Sequence, residues 1–275
     1  MDKRQKYLLG LFLSFLFILL VIAVLYYYFL ETILLSWEAT QGIIQVTILT
    51  TIKIITVSII GLYLIKQWFK QEDLYLSDLP FLTGLFFLIL VPAKFLDLLS
   101  AFIKDYVIDP IFLTIVKLRF FLAILNLVPM IFLSIGMILF YLSLNENKNR
   151  FKDKNKREKT QKYIIIIIAL IELFLIIIAP NYTTLFNIVP LLVIPSLIMI
   201  VWVFAFAHKN KKLTNINPLI VAIGFGLYLL TTIYRSLGQY IFELSIYIIT
   251  SEVFEIITFI IIFIGLIKKQ SIAEK

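Results

Sequence analysis

The sequence predicts an all-α integral membrane protein, a bundle of eight transmembrane helices, and three observations carry that prediction. Of its 275 residues, 61% are hydrophobic, only 15% are charged and none is Cys. A soluble chain averages roughly 45–50% apolar and about 25% charged residues. The apolar surplus therefore excludes a soluble domain, a disordered tail and a disulfide-stapled module. Eight runs reach the roughly 20 apolar residues that a helix needs to cross the hydrocarbon core: about 8–30, 43–65, 79–99, 111–143, 163–180, 186–207, 218–236 and 244–267. The third observation is the lack of alternation at every second residue in stretches such as 163–178, which barrel strands would require. Seven spans is the competing count, because the fourth run is long for one crossing and the eighth carries Glu252 and Glu255.

Taken in order, the first run follows Lys3, Arg4 and Lys6 and ends in Tyr26, Tyr27 and Tyr28. It is too long for a secretory signal core and lacks a small-residue cleavage site, so it reads as a retained helix with an aromatic interfacial anchor. The second run contains Lys53. The third opens at Ser77-Asp78-Leu79-Pro80, a capping side chain before a Pro whose missing N–H is harmless in a first turn. It holds Lys94 and Asp97, three residues apart. The fourth carries Arg119 and Asn126 on one face, and then Pro129.

The stretch 145–162 has eight basic residues in eighteen. It reads as a solvated connector that enforces orientation and splits one polytopic domain, 1–275, into halves of four spans. The fifth run contains Glu172. Asn181-Tyr182-Thr183 spells a glycosylation acceptor, but the connection is too short and reads as a chance match. Pro190 and Pro195 mark the sixth run as kinked. The seventh opens at Asn217-Pro218, and its Gly224-Phe225-Gly226 predicts close helix approach.

Charge placement predicts the topology. With a cytoplasmic amino terminus, nineteen of the 25 basic residues fall on that side, while the connections 31–42, 181–185 and 237–243 have none. The positive-inside rule then puts both termini in the cytoplasm of a cell membrane, which an even number of spans satisfies. The net charge of +8 is thus read as suited to an anionic inner leaflet rather than to nucleic acid.

Absences narrow the chemistry. A single His, at position 208, and no Cys exclude bis-histidine haem, zinc, thiol and Ser–His chemistry. No metal or cofactor is expected, and an enzyme is the least favoured class.

Ionisable groups inside spans need a partner or a wet cavity. Tyr228, Thr231, Arg235 and Gln239 share a face of the seventh span, as do Ser251, Glu255 and Thr258 of the eighth, with Glu252 beside them. The expected site is an outward-opening polar pocket among spans three, four, seven and eight. In it, Arg235 and Lys94 face Glu252 and Glu255, with Asp97 and Tyr228 nearby and Arg119 and Asn126 at the entrance. Such a pocket suits a small anionic or zwitterionic ligand; the competing expectation is internal ion pairs that only set helix register. Lys53 and Glu172 are expected as a separate midplane pair. Three functions follow: a ligand- or lipid-sensing module acting through a cytoplasmic or membrane protein partner, a small or proton-coupled transporter, and an assembly subunit.

Overall fold

The computed structural model describes residues 3–143, 153–238, 241 and 244–269. All of its regular structure is helical: α1 (Lys3–Tyr28), α2 (Leu30–Ala39), α3 (Ile43–Phe69), α4 (Leu79–Ile103), α5 (Asp109–Leu125), α6 (Val128–Ser143), α7 (Lys154–Ile178), α8 (Tyr182–Lys209), α9 (Pro218–Gly238) and α10 (Leu244–Ile267). Eight segments among the described residues are long and apolar enough to cross a membrane, α5 and α6 together forming one of them. The chain is an all-helical, multi-pass membrane protein.

Several boundaries differ from the sequence reading. The expected connection 31–42 is largely helical. Its one buried residue on α2 is Ser36, while the exposed Trp37 stacks on Phe102 at 6.1 Å, and the turn into α3 is made at Gly42, whose φ of 83° suits glycine. The fourth run is interrupted at Asn126–Leu127, so Pro129 sits in the first turn of α6, where its missing N–H breaks no helical bond. The 145–162 connector is helical from Lys154, because Asp153 Oδ1 caps α7 by accepting from the Asn155 N–H at 2.9 Å. Residues 144–152 and Gln239 lie outside the described residues.

The chain divides into two compact units, Met1–Asn126 and Leu127–Lys275, rather than at the basic connector. In the first, α4 packs between α3 and α5. A Cβ on Gly61 would come 2.8 Å from the Leu88 side chain, and one on Gly84 2.8 Å from Ile65, so the two glycines let α3 and α4 approach reciprocally. Trp68, fully buried near the end of α3, donates from Nε1 to Tyr75 O and to Asp78 Oδ2, which closes the turn into α4.

In the second unit, α9 packs between α8 and α10, while α6 packs on α7 and α8. Phe204 of α8 stacks on Phe225 of α9 at 6.0 Å. At the α9–α10 crossing, Gly224 faces Ile262 and Gly265 faces Val221. The Asn217 N–H donates to Gly265 O at 2.8 Å. The close approach expected of Gly224 is therefore present, whereas Gly226 has nothing within 4 Å of a Cβ.

Asn181 is the N-cap of α8, its Oδ1 accepting from Thr184 N at 2.8 Å and Thr184 Oγ1 at 2.9 Å. Asn181→Ala should cost about 1 kcal/mol in thermal unfolding of the detergent-solubilised protein. An unchanged midpoint would show that the cap contributes nothing.

Candidate functional site

Of the polar side chains expected in the site, Lys94, Asp97, Arg119 and Asn126 belong to the first unit and Tyr228, Arg235, Glu252 and Glu255 to the second. In the first, Asp97 lies between two cations. Its Oδ2 accepts from Lys94 Nζ at 3.0 Å, and its Oδ1 meets Arg119 Nε at 2.5 Å. The first contact is the three-residue pairing of one helix face. The second arises because the short connection 104–108 folds α5 back against α4. All three side chains are largely buried.

Seven residues beyond Arg119, and so on the same face of α5, Asn126 is 1% exposed. Its Nδ2 has no hydrogen-bond partner among the described residues. Tyr26, read from sequence as an interfacial anchor, donates its hydroxyl to Phe95 O at 2.8 Å and stacks edge-on against the Phe95 ring. It thereby ties α1 to the part of α4 that carries Lys94. Pro92, two residues before Lys94, lies inside α4. Having no N–H, it leaves the Leu88 carbonyl without its helical donor. The sequence reading overlooked Pro92, although a Pro inside an apolar run was signal enough.

In the second cluster the guanidinium of Arg235 is shared by two carboxylates of α10. Nη1 donates to Glu255 Oε1 at 2.6 Å and Nη2 to Glu252 Oε1 at 2.8 Å. Both glutamates are almost wholly buried, at 2% and 3% exposure. The acids sit three residues apart on one helix, so the planar fork reaches both at once.

Beside this pairing, Tyr234 OH and Thr250 Oγ1 are 2.7 Å apart. Tyr228 places its ring 5.3 Å from that of Phe259, making it part of the helix packing. Thr231 and Ser251 donate to carbonyls of their own helices, Leu227 O and Ile248 O. Much of the expected polar stripe is thus satisfied locally.

The expectation set Lys94 with Arg235 opposite Glu252 and Glu255. In the structure Lys94 meets Asp97 on its own helix, and Arg235 is joined to the two glutamates. Arg119, expected at an entrance, is a direct partner of Asp97. Lys53 is fully buried on α3 of the first unit, and Glu172 is buried on α7 of the second.

Chemically, the first cluster presents two cationic donors and an amide donor, a set suited to phosphate or carboxylate oxygens. The second is a half-buried base held by two buried acids. No group of three or more His, Asp or Glu close enough to hold a metal ion occurs among the described residues. No protein-family model matches the chain, and neither a curated protein nor a solved structure is significantly similar to it.

Proposed function

We propose that the protein is a receptor-like membrane module that senses an anionic amphiphile, recognising its headgroup through Lys94, Arg119 and Asn126. The observation that carries this reading is the donor set of the first unit. Two cations share the Asp97 carboxylate, and a buried amide nitrogen on the same face of α5 is left without an acceptor. A buried donor without an acceptor is costly, and an incoming oxygen removes that cost. Arg119 and Asn126 are about 10 Å apart along the helix axis. That separation suits a molecule with a charged headgroup and a second acceptor, such as an ester carbonyl, deeper toward its chain.

We further propose that the basic face lies in the cytoplasm against an anionic leaflet, where a protein partner receives the signal. The start of α7 supports this. Lys156, Arg157 and Lys159 stand in its first turns with no acid in the first turn, at the positive end of the helix macrodipole. Cations there are disfavoured by about 0.3–1 kcal/mol each, and an anionic surface returns about 1 kcal/mol for each. A small or proton-coupled carrier is the second reading; Pro190 and Pro195 inside α8 favour it.

The test is thermal unfolding in uncharged micelles titrated with phosphatidylglycerol or with phosphatidylcholine. The anionic lipid should raise the midpoint by several degrees, and the zwitterionic lipid should leave it unchanged. Arg119→Gln removes a charged hydrogen bond of about 1.5–3 kcal/mol and should weaken the response at least tenfold. Asn126→Leu, which fills the same space without a polar group, should weaken it while keeping the fold. Equal shifts with both lipids, or a full response in both variants, would overturn the proposal.

A further inference from the structure

The second unit contains a buried acid that the proposed sensing site does not use. On α7, Gln161, Glu172 and Ile176 are buried at helical spacing, on a helix most of whose apolar residues are exposed. Gln161 anchors one end of this stripe. Its Nε2 donates to Phe132 O of α6 at 2.8 Å, and a Cβ on Gly136 would come 2.8 Å from the same nitrogen. Eleven residues on, three helical turns along the same face, Glu172 is 4% exposed, and its Oε2 has no hydrogen-bond partner among the described residues.

The helices packed against α7 within the unit are α6 and α8. Their titratable side chains are Tyr141 on α6, and Tyr182, His208 and Lys209 on α8, all near helix ends. The other titratable residues of α7, from Lys154 to Tyr163, lie nine or more residues from Glu172 in sequence. The wall of α7 on either side of it is apolar, with Ile168 one turn before and Ile176 one turn after, and α8 buries Leu185 and Val189 in the same unit. An ionised carboxylate in such a wall loses its hydration and gains no donor in exchange.

We propose that Glu172 is a proton-binding site, holding one exchangeable proton as a neutral carboxyl within the membrane-spanning part of the second unit. This does not depend on the headgroup site of the first unit. The ligand is the proton itself, and the site would serve any step that takes up or releases a proton from within the bilayer.

Dicyclohexylcarbodiimide tests it on the intact protein, because this apolar reagent enters from the lipid and reacts with carboxylic acids rather than carboxylates. The acid O–H adds across one C=N bond, and the adduct rearranges to an N-acylurea that retains every atom of both reactants. At about pH 6, mass spectrometry should find the adduct on the peptide containing Glu172, and its yield should fall about tenfold or more by about pH 10. The adduct should be absent from Glu172→Gln and unchanged in Lys53→Met. Glu172→Gln should also unfold at the wild-type temperature, since it exchanges one neutral polar group for another. No adduct at Glu172, a pH-independent yield, or protection by Na⁺ would overturn the proposal. So would an adduct that rises in Lys53→Met, which would make Lys53 the partner of an ionised Glu172.

Discussion

Arg235→Ala is expected to cost about 3–5 kcal/mol of stability, because it strands two buried carboxylates at once. Arg235 donates to Glu255 at 2.6 Å and to Glu252 at 2.8 Å, and the two acids are 2% and 3% exposed while Arg235 itself is 22% exposed. The charge left behind is therefore better hidden from solvent than the charge removed. Arg235→Lys should recover only part of the loss, since one ammonium cannot reproduce two separate guanidinium nitrogens aimed at two carboxylates.

The decisive comparison is Arg235→Met alone against Arg235→Met combined with Glu252→Gln and Glu255→Gln. Removing the acids along with the base should restore most of the stability, with a coupling of about 0.5–3 kcal/mol between the sites. Unfolding in micelles, followed by heat or denaturant, reads it directly. Additive losses, or a cost below about 1 kcal/mol for Arg235→Ala, would mean that the pairing does not hold α9 to α10.

Gly265→Ala is the second large effect. A Cβ at this position would come 2.7 Å from the backbone nitrogen of Val221 and 3.1 Å from the carbonyl carbon of Ile220. Backbone cannot rotate out of the way as a side chain can, so α9 and α10 must separate. The Asn217 N–H to Gly265 O bond stretches with them. Overpacking of this kind costs about 1–3 kcal/mol.

Gly226→Ala is the matched control. Nothing lies within 4 Å of a Cβ there, and the change should be neutral or stabilising by up to about 1 kcal/mol through helix propensity. Opposite signs for the two substitutions would confirm that the crossing, not the residue type, sets the requirement. If Gly265→Ala behaved like Gly226→Ala, the close crossing would be refuted.

The two charge clusters were legible in the sequence to different degrees. Lys94 and Asp97 lie three residues apart on one helix, so their contact follows from the helical repeat alone. Arg235 and the pair Glu252 and Glu255 lie on consecutive spans at similar expected depth, which pointed to one another correctly. The Arg119–Asp97 contact was not legible. Hydropathy ends the third run at residue 99, whereas α4 continues to Ile103, so Asp97 sits a full turn inside the helix and within reach of Arg119 on α5.

The compact units do not follow the polar punctuation of the chain. The basic stretch 145–162 is the conspicuous polar feature, but the two compact units part at Asn126–Leu127 inside an apolar run. There a two-residue interruption before Pro129 ends one helix and starts another, and hydropathy does not register it.

What the sequence determined by itself was the class of the molecule: all-helical, multi-pass, with eight segments able to cross a bilayer. That follows from transfer free energy, which sums residue by residue and needs no knowledge of neighbours. Only the tertiary structure decided which charge meets which, which glycine is a crossing point and where the chain divides. Helices that are apolar on nearly every side carry little information about which side faces a partner. Their rotation and register are set instead by close packing, by Gly61, Gly84, Gly224 and Gly265 where backbones touch, and by the few polar side chains that must find one another.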